Sequence, residues 1–485
     1  MISPASGKKI NQQLSPDHVV RRISILVDHL DLDPLIQLYQ DSKRSPFDPI
    51  AMLKVVLYEI HQRNLSPARW HRDSRESLPV LWLLGGLQPG RTTFYEFQQR
   101  FDPIIDQLNA NLLKRRSQPK ETRQVAIDGT LIAANSTRHK LFNKQRLNER
   151  LGLLRQNLEG VMTETPRWLA PTLRGKMRQR DTYRRALRPL EEPLKKNAKL
   201  PANRRKPENK VLISPADCEA AFGRDKQKTY RPLYNTQLAR DLDDDWILGH
   251  DVLATTSDAG TLEGTFDRCG ALSGAVPTDA LTDAGYATER DLIACERRGV
   301  TLIAPYRENT LAASSKKKSG KRHFKKDVFE WGNERKEYRC PNGVALKRKS
   351  QEFRVLSDGD RLRVFRDRCE PESCLACPQS SRYTSKPEHG RNLRRSERED
   401  LVDALKVRMS KPESQQHYKK RAASIERCFG DMKANRNLTR FSRRGLRGAK
   451  TTVGLWTLLH NGLLRLDENT KNDIQQKIDL TPPDW

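Results

Sequence analysis

The sequence predicts an α/β protein, because short apolar strands alternate with amphipathic helices along much of its 485 residues. The clearest strand is 125–134, an apolar run rich in β-branched residues with one acid, Asp128, in its middle. Helical stretches near 260–270 and 287–299 lie between the further strand-like runs, which are 230–237, 246–255, 275–281 and 300–305. This order indicates a mixed sheet flanked by helices.

The N-terminal region, 1–116, is predicted to be all-helical. Apolar residues repeat at helical spacing through it. Asp33 and Asp48 each precede a proline, as at the capped start of a helix, and Thr92 or Thr93 could cap a later one. Several short helices with basic residues between them suit a DNA-binding or dimerising domain, and they suit a plain helical bundle equally well.

The charge balance predicts a polyanionic partner. Lysine and arginine number 90 against 61 acidic residues, giving a net charge of +29, with a pI near 9.9. Nucleic acid is the usual partner of such a chain, and a ribosome-associated or membrane-surface protein is the alternative. The longest apolar run, 78–87, is too short to cross a bilayer, and no signal peptide is evident. We therefore expect no membrane partner and a cytoplasmic, nucleoid-associated protein.

Two segments interrupt the predicted sheet. The first, 138–215, is strongly basic and contains two amphipathic helices, a hairpin whose cations could follow a DNA backbone or simply face solvent. The second, 311–400, contains a basic stretch, 316–326, that we expect to be a disordered loop. From about 412 the chain is predicted to be helical again, within a C-terminal part, 401–485.

Three acids in separate elements could hold metal ions. Asp128 lies inside an apolar strand, Asp283 ends another strand beside small residues, and Glu426 lies on a helix with Lys433 seven positions later on the same face. A carboxylate in an apolar setting needs a compensating charge, and Mg²⁺ or Mn²⁺ would supply it. Taken singly, each acid is a weak signal, because an aspartate at a strand end often caps a turn and a glutamate on a helix is usually solvated.

Four cysteines form a second candidate site. Cys374 and Cys377 make a CxxC pair, Cys369 lies five positions earlier, and Cys340 lies 29 positions before that, on a predicted hairpin. Four thiolates with a close pair suit one structural Zn²⁺ ion. Because Cys340 lacks a CxxC partner of its own, reduced packing cysteines are the alternative.

The order of these motifs resembles the DDE transposases of bacterial insertion sequences. The resemblance rests on Ala126–Thr130, Tyr234–Gln237, Thr282–Tyr286 and the Tyr–Arg–Glu–Lys pattern of 418–433, with a helical region at 15–103 before them. It implies an RNase H-like, retroviral-integrase-like core formed by 117–137, 216–310 and 401–485. It also implies metal-dependent hydrolysis at element ends, followed by attack of the freed 3′-hydroxyl on target DNA. The segments 140–215 and 306–400 match poorly.

The resemblance further implies which residues act. Asp128, Asp283 and Glu426 would be catalytic. Tyr418 and seven basic residues would bind the DNA of transposon ends and target: Arg421, Lys433, Arg436, Arg440, Arg443, Arg444 and Arg447. Four residues separate Arg421 from Glu426 where many relatives have three, and Asp431 is the alternative third acid. A homodimer is expected, because two ends must be paired. A non-catalytic DNA-binding regulator and a nuclease without strand transfer are the alternative functions.

Overall fold

The computed structural model describes residues 10–40, 47–116, 123–161, 164–200, 202–306, 326–355, 361–384 and 386–477. The predicted loop at 316–326 therefore lies outside the described residues, except for Lys326. The chain divides into two compact units. Unit one comprises Met1–Asp258, Gly264–Ala280 and Lys420–Trp485, and unit two comprises Ala259–Glu263 and Leu281–Lys419.

The N-terminal region is helical, as predicted. Its helices are α1 (Val19–Asp28), α2 (Asp33–Gln40), α3 (Pro49–His61), α4 (Pro67–Glu76), α5 (Leu78–Leu83), α6 (Arg91–Arg100) and α7 (Ile105–Lys114). Asp48 caps α3 as predicted, since its carboxylate accepts hydrogen bonds from the backbone of Ile50 and Ala51. The predicted cap at Thr92 or Thr93 is wrong, because α6 begins at Arg91 and both threonines lie within its first turn.

The C-terminal helices are α14 (Glu399–Ser410), α15 (Pro412–Gly430) and α16 (Gly445–Lys477). Helix α16 packs closely on the N-terminal helices of unit one: Asn109 Nδ2 donates to the backbone oxygen of Gly454, 3.0 Å away. A Cβ at Gly454 would lie 2.5 Å from Ile105 Cγ1, so the close approach requires glycine there. None of the described helices is both long and apolar enough to cross a membrane.

The first sheet has six strands in the order β2–β3–β1–β5–β6, with β4 paired to β3. They are β1 (Gln124–Ala133), β2 (Ala221–Arg224), β3 (Tyr230–Asp241), β4 (Ile247–Leu253), β5 (Asp279–Leu281) and β6 (Thr301–Ile303). Strand β3 pairs antiparallel with both β1 and β4. Helices α10 (Leu262–Ser273) and α11 (Glu289–Arg298) follow β4 and β5, as the sequence predicts. The mixed α/β architecture is therefore confirmed.

The segment 138–215 folds in unit one around α8 (Lys144–Leu158) and α9 (Leu173–Ala198), which confirms the two predicted helices. The buried side chains form a local hydrophobic cluster of Phe142, Leu147, Leu154, Leu169, Tyr183, Ala186, Leu190, Val211 and Ile213. Because these residues supply apolar contacts from both helices and their flanks, the segment has a core of its own.

Unit two contains a second sheet in the order β11–β10–β9–β8–β7. Its strands are β7 (Glu330–Gly332), β8 (Glu337–Arg339), β9 (Ala345–Val355), β10 (Arg361–Arg368) and β11 (Asn392–Ser396), with short helices α12 (Pro371–Leu375) and α13 (Ser380–Tyr383) between β10 and β11. The predicted hairpin around Cys340 is present, since Cys340 lies in the turn that joins the antiparallel strands β8 and β9.

Candidate active site

Asp128 lies in the middle of β1, on the same face of the strand as Thr130. Arg421 of α15 reaches this face, and its Nη2 lies 2.9 Å from Asp128 Oδ2. Lys433 reaches it as well and donates from Nζ to Thr130 Oγ1, at 2.5 Å, and to the backbone oxygen of Leu131, at 3.0 Å. The structure therefore brings one predicted acid and two predicted cations to one face of the sheet.

The ion pair of Asp128 and Arg421 is largely shielded from water. Their side chains are 22% and 11% exposed, respectively. A carboxylate in such surroundings needs an opposite charge, and the guanidinium supplies one from a helix more than 290 positions away in the sequence. The sequence pattern assigned Arg421 to DNA phosphates and did not indicate this pairing.

The segment carrying Lys433 is not a continuous α-helix. Helix α15 ends at Gly430, and Asp431–Asn435 forms a π-helical turn. Lys433 therefore follows the α-helix of Glu426 in a π turn, where the rotation per residue differs from the α-helical value on which the predicted shared face depends. Burial, and then the nearby charge of Lys226, lowers the pKa of Lys433 to about 8.

The other two acids are placed differently. Glu426 is exposed on α15, five residues after Arg421 and so about 140° further around the helix axis. Asp283 belongs to unit two, where its Oδ1 accepts from the backbone nitrogen of Gly285 at 2.7 Å. The rival acid, Asp431, faces Trp456 Nε1 at 3.3 Å and the guanidinium of Arg436 at 3.5 Å.

The donor chemistry suits a hard divalent ion, since carboxylate oxygens are the ligands that Mg²⁺ prefers. The positions of these donor side chains do not by themselves form a metal site. Among the residues that the structure describes, no three histidine, cysteine or acidic side chains are grouped so that they could hold a metal ion. Arg421 contacts one of the two Asp128 oxygens that an ion would use.

A polar network lies on the opposite face of β1. Asn235 and Gln237, on the neighbouring strand β3, each donate from the side-chain amide to Asp258 Oδ1 at 2.8 Å. A Cβ at Gly129 would lie 2.1 Å from that same oxygen, so only glycine fits beside Asp128. The family-like stretches 126–130 and 234–237 contain Gly129, Asn235 and Gln237, whereas no sequence signal marks Asp258, because an aspartate in a loop is an ordinary feature.

The arginines predicted to bind DNA fall into two groups. Arg443 makes a two-point ion pair with Asp102 at 2.5 and 2.8 Å, and Arg436 and Arg440 donate to backbone oxygens within unit one. Arg444 and Arg447 are exposed, although Arg447 Nε also lies 3.4 Å from Asp102 Oδ2. Tyr418 is half-buried and belongs to unit two.

The four cysteines of unit two surround one apolar cluster. Cys369 and Cys374 are buried in it, and Cys340 and Cys377 pack against it half-buried. Burial, followed by the hydrogen bond and charge of Cys374, raises the pKa of Cys369 to about 12. The set of soft donors fits zinc chemically. Among the described residues, however, no three of these cysteines are grouped so that they could hold a metal ion.

Two family models match the chain. The model described as "Transposase DDE domain" matches residues 339–465, and the one described as "Transposase domain (DUF772)" matches residues 8–100. Both describe transposases, and the class indicated by the matches is a DNA transposase. Together the matches support an insertion-sequence DDE transposase, as the motifs imply. The comparison with curated proteins gave no match.

The extent of each match refines the sequence analysis. The DUF772 match covers the helical N-terminal region, which confirms the expected resemblance there. The DDE match includes Glu426 and all four cysteines of the cluster. The expectation that 306–400 lies outside the resemblance is therefore wrong from residue 339 onward.

Proposed function

We propose that this protein cuts DNA at the ends of an insertion sequence and then joins the freed 3′-hydroxyl to target DNA. The transposase family matches support DNA as the substrate. The single structural observation that carries the proposal is the ion pair of Asp128 and Arg421, which links the first predicted acid to the helix of the third. The net charge of +29 suits a duplex DNA partner.

The proposed core is RNase H-like. Two features support this: β1, β3 and β4 pair antiparallel in that order, and β5 lies on the other side of β1. In the proposed division, 117–137, 216–310 and 401–485 form the core, and 1–116, 138–215 and 311–400 are additional parts.

We also propose a homodimer, which would pair two element ends. Analytical ultracentrifugation of the full chain tests it, and a monomer with DNA bound contradicts it.

In the proposed site, Asp128, Asp283 and Glu426 would hold Mg²⁺ or Mn²⁺. Such ions activate an attacking oxygen and stabilise a leaving one when bound. Arg421, whose Nη2 lies 2.9 Å from Asp128 Oδ2, would orient the Asp128 carboxylate before substrate arrives. Lys433, held by Thr130 and Leu131, would present a point charge to a phosphate near the scissile bond. Arg444 and Arg447 would extend the contact along the backbone.

The test is a cleavage and joining assay on the DNA that flanks the gene, with Mg²⁺. Asp128→Asn is expected to abolish cleavage while DNA binding persists, and Asp467→Asn, on an exposed aspartate of α16, is the matched control. Supplying a pre-cut 3′-hydroxyl end with target DNA measures joining. Cleavage without joined product would favour a nuclease, and DNA binding without cleavage by the native protein would favour a regulator.

We also propose one structural Zn²⁺ held by Cys340, Cys369, Cys374 and Cys377. Their location around one apolar cluster supports it. The purified full chain is expected to carry about one zinc per molecule. Cys374→Ser should lower that content, whereas Cys218→Ser, a half-buried thiol outside the cluster, should not. Metal analysis that finds no zinc in the native protein contradicts the proposal.

A further inference from the structure

The segment 138–215, here called the helical module, carries about half of the net charge of the protein. It has 21 lysines and arginines against seven acidic residues, which leaves +14 of the total +29. Its own hydrophobic cluster fixes the face of α9 that turns inward, with Tyr183, Ala186 and Leu190 buried. The opposite face of α9 is thereby presented to solvent.

A stripe of cations follows that outward face. Its members recur every three or four positions or in multiples of that spacing, and all are exposed: Arg174, Arg178, Arg185, Arg188, Lys195 and Lys199. From Arg174 to Lys195 the stripe extends about 32 Å, at about 1.5 Å per residue. The two acids in the same row are Asp181 and Glu192.

The cations of this stripe have no acidic partner among the described residues. The ion pair seen in the described part of the module joins Asp181 to Arg180, at 3.3 Å, and Arg180 lies beside the stripe. Arg185 Nε donates to the backbone oxygen of Asp181, at 3.4 Å, and not to its carboxylate. Like charges along one helix face repel each other, so a bound polyanion would relieve the repulsion.

We propose that this stripe, the cation stripe of α9, binds the sugar–phosphate backbone of duplex DNA without reading its sequence. The proposal rests on the proposed function for the identity of the polyanion. Duplex DNA carries one charge per about 1.7 Å of its axis, counting both strands, so a length of about 32 Å carries roughly 19 phosphates. Those on the near side of the duplex would face the stripe. Arginine forks match phosphate oxygens, and four of the six cations are arginines.

The test measures the affinity of the full chain for a duplex of unrelated sequence at several salt concentrations, by fluorescence anisotropy. Arg185→Ala with Arg188→Ala is expected to weaken binding about tenfold and to reduce the slope of log K against log salt by about 1.8. Glu192→Gln removes a negative charge from the row and should tighten binding. A gain of affinity cannot come from misfolding.

The matched control is Lys347→Ala with Lys349→Ala, because both lysines lie within 3.5 Å of the Glu370 carboxylate, which offsets part of their charge. This control should leave the salt slope unchanged. An unchanged salt slope in the double variant of α9 overturns the inference. The same two proteins are tested on vesicles of anionic lipid, and a double variant that loses vesicle binding but keeps DNA binding overturns the inference as well. If the native protein binds no DNA at all, the proposed function fails as well, which distinguishes the two failures.

Discussion

Arg443 and Asp102 form a two-point ion pair within unit one, with nitrogen–oxygen distances of 2.5 and 2.8 Å. Thr451 Oγ1 donates to the same carboxylate at 2.6 Å. The side chains of Arg443 and Asp102 are 14% and 9% exposed. The pair therefore ties the segment before α16 to the end of α6, and Arg443 has a structural role whether or not DNA is bound.

Arg443→Ala should lower the free energy of unfolding by about 3 kcal/mol, because the shielded carboxylate of Asp102 would lose its two contacts with the guanidinium. Arg444→Ala, on the neighbouring exposed arginine, should change it by less than about 0.5 kcal/mol and should instead weaken DNA binding. Chemical denaturation and a DNA-binding isotherm measure the two effects. Equal destabilisation by both substitutions would contradict the assigned roles.

Asp128 and Arg421 should be energetically coupled. A double-mutant cycle with Asp128→Asn and Arg421→Gln is expected to give an interaction energy of about 1–2 kcal/mol, since each single change leaves a shielded charge or donor without its partner. Urea denaturation of the four proteins measures it. Strictly additive effects would mean that the ion pair contributes nothing to stability.

Gly129→Ala should destabilise the protein by about 1–3 kcal/mol, because the added methyl group would meet Asp258 Oδ1 and Gln237 Nε2 at 2.1 and 2.4 Å. Gly152→Ala is the matched control: nothing lies within 4 Å of its Cβ position in α8. The control should be neutral or stabilising by up to about 1 kcal/mol. Thermal melting compares them, and a Gly129→Ala protein as stable as the control would argue against the network at Asp258.

Asp291 should make the stability of unit two depend on pH. Burial raises the pKa of Asp291 to about 6, although Thr288, Gly260 and Leu262 donate hydrogen bonds that oppose the shift. The folded state thus holds this proton more tightly than the unfolded chain, so stability is lost as pH rises from about 4 through 6. Asp291→Asn should reduce the change of melting temperature with pH over that window. Asp400→Asn, at an exposed residue, should leave that change as it is in the native protein. A native-like pH profile in Asp291→Asn would exclude Asp291 as the source.

Local patterns in the sequence were sufficient for much of the fold. The capped start of α3, the helices of the module at 138–215 and the strand around Asp128 follow from periodicity and from the residue types at element ends. These signals act over a few positions, so the sequence expresses them directly. The order of motifs in turn implied the transposase family, which the two family matches support.

Only the tertiary structure decided which charged side chains form ion pairs within the fold and which are left to bind DNA. Arg443 and Asp102 are 341 positions apart, and nothing in either neighbourhood marks them as partners. The π turn at Asp431–Asn435 likewise changed the relation of Lys433 to Glu426. The physical reason is that helix and strand periodicity depends on neighbouring residues, whereas an ion pair depends on the approach of elements that only the whole fold brings together.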